Sequence, residues 1–283
     1  GHKDGQVLTK LKRAKIRGIE SYSMVCSEKE LGISDEHEGV IILDDDAPVG
    51  MPLADYMGDA VFSIDILPNN ARNVNVLGIA REVAALTNQP LKRIDKKPYE
   101  TSGEAIVDKV KVNITNPELN ARFVFGLIRD VEIGPSPYLV QRRLRLAGIR
   151  PISNLVDATN YAMFEVGEPL HAFDYDVLME RAKGKPVVIT TRTAEEGEKL
   201  TTLDDIEREL QTSNVLVCDE EGALAMAGVM GGLESEITDK TKNVLLEGAA
   251  WNFINIRRTA NHHNLPSEAS YRFSRGVHPA LAE

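Results

Sequence analysis

The spacing of apolar and polar positions changes several times along the chain, and each change marks an expected element. Val110, Val112 and Ile114 alternate with Lys111 and Asn113, which predicts a strand with one buried face. Segments 123–128, 187–190, 215–217, 223–226 and 244–246 are short apolar runs bounded by polar or turn residues, and they are read as further strands. Looser alternation over 19–24 and 61–67, and the apolar run 40–43, are read the same way. The period lengthens to three and four over 74–86, predicting a helix with Asn73 as its N-cap. Ser136 as cap with Pro137 at the first helical position predicts a helix running to Ala147 and stopping at Gly148. Further helices are expected over 154–166, ending at Gly167, and from Ile254 onward. Ser27 with Glu30 three residues on, then Gly32, reads as a short capped turn.

Strands and helices that follow each other without strict alternation indicate an α+β fold with mixed sheets. Three zones are expected. Residues 1–52 open with the basic stretch Lys10, Lys12, Arg13, Lys15 and Arg17 and close on Asp44, Asp45 and Asp46, with too few strands to complete a barrel. Residues 53–103 form a small α/β unit ending in the polar linker that begins at Lys96, and residues 104–283 carry the candidate chemistry.

A length of 283 residues suits two or three domains, at about 100–200 residues each. The net charge of −10 argues against a large basic surface gripping duplex nucleic acid, but it leaves room for a site that receives only the end of an RNA. Cys26 and Cys218, far apart, suit a reducing cytoplasm better than a disulfide. Gly1, His2, Lys3 and Asp4 lack the apolar core of a signal segment and read as a cut edge, and the chain has no apolar run long enough to span a membrane.

Candidate chemistry gathers after Asp157, Ala158, Thr159, Asn160 and Tyr161. Asn160 and His171 lie near the end of a helix and in the loop after it, where an amide and an imidazole can face one space. Ala227, Gly228 and Gly231 belong to a glycine-rich turn after a strand; it lacks the Lys-Ser/Thr of a phosphate loop, and by itself it reads equally as a tight turn. Glu247 follows an apolar run, where a carboxyl needs a partner unless it points to water. Adjacent His262 and His263 have no third ligand nearby, so no metal site is expected. Arg257, Arg258, Arg272 and Arg275 are expected to be solvated or to face phosphate. No Ser or Cys stands with an evident base, which argues against a covalent nucleophile.

Taken in order, these words resemble the phenylalanyl-tRNA synthetase β-subunit family. The likeness is carried by Lys15, Arg17 and Gly18; Met24 to Gly32; Pro68 and Asn69 with Leu77 to Glu82; Ser136 and Pro137; Asp157 to Tyr161; Pro169 to Asp174; Ala227 to Gly232; Leu246 and Glu247; and Ala269 to Val277. The resemblance spans nearly the whole chain. It implies the tail of an inserted oligonucleotide-binding barrel over 1–52, a linking domain over 53–103 and an editing domain over 104–283 that hydrolyses mischarged Tyr-tRNA(Phe). It implies His171 and Asn160 as catalytic residues, with Glu247, Ala227, Gly228, Gly231, Ser267 and Ala269 binding substrate. Ser267 stands where relatives often carry Thr, which keeps a hydroxyl. Asn70 and Arg72 depart from the family's usual residues after Pro-Asn. The implied partners are tRNA(Phe) and an α subunit, in a heterotetramer of two α and two β. No cofactor is implied for this part; ATP and Mg are implied for aminoacylation in the complete enzyme.

The chemistry agrees with that implication. An apolar pocket selects poorly against an added hydroxyl, so a synthetase for phenylalanine benefits from a second, hydrolytic sieve for tyrosine. A carboxylate that accepts the phenol hydrogen bond would read that hydroxyl, because phenylalanine would leave it unpaired. Two alternatives remain open at this point: a non-catalytic tRNA-docking and subunit-assembly module, and a free-standing deacylase.

Overall fold

The computed structural model describes residues 11–34, 37–43, 45–92, 101 and 103–283. Lys10, Asp44 and most of the expected linker after Lys96 lie outside them. The chain divides into two compact units, Gly1–Val61 and Phe62–Glu283.

In the first unit, strands β1 (Ala14–Ile16) and β2 (Ile19–Ser21) form a hairpin. Its two-residue turn places Arg17 and Gly18 at φ 49° and 88°, the twist that matches right-handed strands. Ser27 and Glu30 cap each other as expected: the Ser27 N–H donates to Glu30 Oε2 at 2.8 Å, and the Glu30 N–H to Ser27 Oγ at 3.3 Å. Segment 40–43 is no strand; Ile41 makes a single backbone bond, to Cys26 O. A short helix, α1, covers Leu53–Met57. Among the described residues of this unit the only ladder is the hairpin, and no closed barrel is present.

The second unit is mixed α+β. Residues 62–67 pair with no strand, and Phe62 and Ile64 are exposed, because alternation by itself supplies no neighbour to bond. Helix α2 (Val76–Thr87) starts later than expected. Its cap is Asn75, whose extended backbone lets Oδ1 accept from Gly78 N at 2.6 Å, while Asn73 is buried in the preceding turn. Strands β3 (Val110–Ile114) and β4 (Asn120–Ile128) follow.

Helices α3 (Tyr138–Leu146) and α4 (Asn154–Val166) form next. Ser136 does not cap α3. It is buried, and its hydroxyl donates to Asp157 Oδ2 at 2.7 Å, tying the start of α3 to α4. Ser153 caps α4, and Gly167 ends it at φ 89°.

The chain then enters β5 (Leu170–Asp174), and Asp174 caps α5 (Tyr175–Arg181) by accepting from the N–H groups of Asp176 and Val177. After β6 (Val187–Thr193) come β7 (Lys199–Thr201), β8 (Glu207–Glu209), β9 (Val215–Cys218), β10 (Ala223–Met226), β11 (Met230–Gly231) and β12 (Val244–Trp251). Helices α6 (Phe253–His262) and α7 (Glu268–Phe273) complete the unit.

Two sheets organise it. One has the order β11-β10-β9-β6-β3, with β3 and β6 parallel and the rest antiparallel. The other, β4-β12-β5, is antiparallel throughout. Phe173 and Leu245 from the second sheet join Ile189, Leu216 and Val217 from the first in one fully buried cluster. Any residue on the core face of β5 or β12 therefore looks into the interior of this unit.

Candidate active site

Strand β12 is the centre of its sheet, so each of its side chains has a neighbour on both flanks. In register, Glu247 stands opposite His171 of β5 and Phe125 of β4. Directly paired residues of antiparallel strands share a face, which puts the carboxyl beside the imidazole. Leu245 and Ala249, two positions either way on β12, belong to the core cluster, so this shared face is the inner one. His171 was expected in a loop; it lies inside β5, and the strand fixes its direction.

The two side chains look into a small cavity that opens to solvent. Ala227, Gly228 and Gly231 form one wall, Ala269 and Phe273 of α7 another, and Val217 adds apolar surface. Both glycines are required by close approach. A β-carbon on Gly231 would stand 2.6 Å from His171 Cε1, so the ring lies directly on that backbone. Gly228 has φ 65°, and a β-carbon there would meet Trp251 at 2.8 Å. On its other side the imidazole meets the Phe173 ring edge-on, with centroids 4.5 Å apart.

Burial sets the electrostatics. It holds the His171 imidazole down at about 4, so the ring is neutral at pH 7. Burial, with the charge of Glu168 adding to it, pushes the Glu247 carboxyl up to about 8. Glu247 is 6% exposed, and its Oε2 has no hydrogen-bond partner. The expected reader of a phenol is therefore mainly a protonated acid at neutral pH. Glu168, which sequence reasoning passed over, is 2% exposed; burial raises it to about 8 against the pull of the Ala249 N–H, which donates to its Oε1 at 3.2 Å. An acidic residue between Gly167 and Pro169, next to apolar residues, was the available signal.

Two expected site residues are not among those lining the cavity. Asn160 is half-buried in α4, six residues before the helix ends, or about 9 Å at 1.5 Å per residue, whereas His171 comes after that end. The Ser267 hydroxyl is committed elsewhere: it accepts from Ser270 N at 3.0 Å as the cap of α7 and donates to Val229 O at 3.2 Å. It thereby ties the helix bearing Ala269 to the glycine turn.

Arg272 is not solvated. It is 4% exposed, lies over the Phe164 ring at 4.7 Å, and donates to Val74 O and to Glu268. His263 Nε2 lies 2.9 Å from Asn214 Oδ1. Among the described residues no group of three or more His, Cys, Asp or Glu side chains could hold a metal ion, and no helix is long and apolar enough to cross a membrane.

A cavity between two sheets of an α+β unit, walled by glycine backbone and lined by one buried acid and one neutral imidazole, defines the class of α+β domains with a small-ligand pocket. The family model described as "B3/4 domain" matches residues 119–283, and the chain belongs to that family. A second model, described as "Putative tRNA binding domain", matches residues 1–52. Over the whole chain the sequence is 45% identical to the phenylalanine–tRNA ligase beta subunit of Dehalococcoides mccartyi, covering 34% of that relative. It is 44% identical to that of Moorella thermoacetica over 96% of this chain and 34% of the relative. The chain thus spans about a third of the length of the curated relatives it matches. A solved N-terminal fragment of the phenylalanyl-tRNA synthetase beta-subunit from Pyrococcus horikoshii matches over 71% of this chain and 59% of that one, at 16% identity and a TM-score of 0.38.

Proposed function

We propose that this chain carries the editing site of a phenylalanine–tRNA ligase β subunit and hydrolyses the ester of mischarged Tyr-tRNA(Phe). The observation that carries the reading is the cross-strand pair of Glu247 and His171 facing the glycine turn in one cavity. The apolar walls accept an aromatic ring, and Glu247 meets its para hydroxyl. The neutral imidazole, too weakly basic for efficient proton abstraction at pH 7, holds the ester or the attacking water by hydrogen bonding. Gly228 and Gly231 let the backbone approach the ester closely. Asn160, which does not line the cavity, is assigned to contact with the RNA end that bears the ester.

Aminoacylation, with its ATP and Mg, is assigned to the α subunit. The ionisable cavity lining here is His171 and Glu247, which does not suit a triphosphate. Residues 1–52 contribute to tRNA contact, and the working assembly is two α and two β subunits in the cytoplasm. The test is deacylation of Tyr-tRNA(Phe) and Phe-tRNA(Phe) by the chain within the assembled synthetase. Preferential loss of the tyrosyl ester is expected. Hydrolysis of neither ester would leave a docking and assembly module as the function.

A further inference from the structure

Glu168, next in sequence to the cavity-lining Pro169, is a buried ionisable group that the proposed reaction does not use. It sits in the turn between α4 and β5, just before the strand that bears His171. Leu170 pairs with Gly248 of β12, and where that pairing ends the Glu168 side chain takes over, accepting the Ala249 N–H through Oε1 at 3.2 Å. Its Oε2 is buried without a partner. Two residues back along β12, Oε2 of Glu247 is also buried without a partner. Two carboxyls thus enter the same stretch of one strand, and one backbone donor serves only the first.

We propose that Glu168 is a positioning residue that forms one acid pair with Glu247: Glu168 takes the negative charge on the Ala249 amide, and Glu247 keeps the proton it presents to the para position of the bound ring. The proposal deepens the editing assignment and rests on it. A donor aimed at one member of a buried like-charge pair decides which member ionises first. Among the described residues that line the cavity with Glu247, no other charge competes. From β4 the facing residue is Phe125, and from β5 it is the neutral His171. The glycine turn and α7 offer Ala227, Ala269 and Phe273, while Arg272 of α7 is turned to Glu268 and the Val74 carbonyl.

The consequence concerns specificity. A protonated Glu247 bonds a phenol yet suffers little beside a bare phenyl ring; an ionised one is stranded by phenylalanine. Selection for the tyrosyl ester therefore sharpens as Glu247 loses its proton, and Glu168 sets the pH at which that happens.

The experiment is an infrared pH titration of the purified chain, following the carbonyl band of buried protonated carboxylic acid in wild type, Glu168→Gln and Glu247→Gln. Gln at 168 keeps an acceptor for the Ala249 N–H and removes only the charge. Glu168→Gln should move the Glu247 midpoint to lower pH by about one pH unit or more, whereas Glu247→Gln should leave the Glu168 midpoint nearly in place, because Glu168 ionises while Glu247 is still neutral. The ratio of tyrosyl to phenylalanyl ester hydrolysis by the assembled synthetase, corrected for spontaneous loss, should sharpen at correspondingly lower pH in Glu168→Gln. An unmoved Glu247 midpoint in Glu168→Gln, with tyrosyl preference intact, would overturn the pair and leave the editing site standing. Movement of that midpoint without any tyrosyl hydrolysis would retain the pair and overturn the editing assignment. In Glu247→Gln, a Glu168 midpoint displaced downward by about one pH unit or more would show that Glu247 ionises first and overturn the proposed order, so this variant stays decisive if Glu168→Gln fails to fold.

Discussion

Gly231→Ala probes the site through geometry alone. Gly231 is buried and is not at a positive φ, so alanine brings a methyl group without backbone strain. That methyl would stand 2.6 Å from His171 Cε1, 3.1 Å from His171 Nε2 and 3.0 Å from Leu203 Cδ1. Restoring an ordinary contact of about 3.4 Å requires the ring to retreat by about 0.8 Å, the difference between that contact and 2.6 Å. Retreat is opposed by Phe173, edge-on at 4.5 Å, and by the β5 ladder. Overpacking of this kind costs about 1–3 kcal/mol of stability, which a unit with this core survives. A displacement approaching 1 Å lowers hydrolysis of Tyr-tRNA(Phe) by about 10- to 100-fold. Single-turnover deacylation by wild type, Gly231→Ala, His171→Ala and the double variant measures it. Because the methyl acts by moving the imidazole, it should add little in the His171→Ala background. Full, independent losses from both substitutions would refute the claim that Gly231 serves by seating His171.

Three further outcomes follow from the same contacts. Asp157→Ala strands the buried Ser136 hydroxyl and the Ile152 N–H, bound at 2.7 and 2.8 Å, and should lower unfolding free energy in urea by about 2–4 kcal/mol. Glu168 and Glu247 bind protons more tightly when folded, at about 8 against 4.5, so their contribution to stability is lost as pH rises from about 4.5 through 8; Glu247→Gln should raise the melting temperature at pH 8 more than at pH 5. His171, held at about 4 against 6.5, works the other way: its contribution is present above pH 6.5 and lost as pH falls toward 4, and the pH–rate profile should show no inflection near 6.5 that His171→Ala removes.

Much of the second unit was legible because its strands are short apolar runs in a polar chain. Six of the expected strands, β3, β4, β6, β9, β10 and β12, lie where the pattern placed them. β5 escaped because Ala172 and Phe173 break the alternation and Pro169 reads as loop. Caps were mislocated where several short polar residues competed: Asn75 took the role read for Asn73, and Ser136 was drawn to a buried carboxyl distant in sequence. Ser267 with Ser270 three residues on was readable as a helix start. The pairing of Glu247 with His171 was not readable at all from residues, since it depends on the register of two strands far apart in the chain. For Asn160 the sequence puts the residue near His171 along the chain, but the last six residues of α4 lie between it and the helix end, and it does not line the cavity.

The most direct test of the editing site is paired single-turnover deacylation of Tyr-tRNA(Phe) and Phe-tRNA(Phe) by the assembled synthetase, with Glu247 intact and with Glu247→Ala. At pH 7, where Glu247 is mostly protonated, the lost hydrogen bond is worth about 0.5–1.5 kcal/mol, so tyrosyl ester hydrolysis should fall by about 2- to 13-fold. Above pH 8 the lost partner is charged, and the fall should reach about 10- to 100-fold. Phenylalanyl ester hydrolysis should hold steady or rise at both, because no buried acid is then stranded beside the ring. Equal losses for the two esters would mean that Glu247 serves hydrolysis or the fold, and that this cavity does not read the phenol.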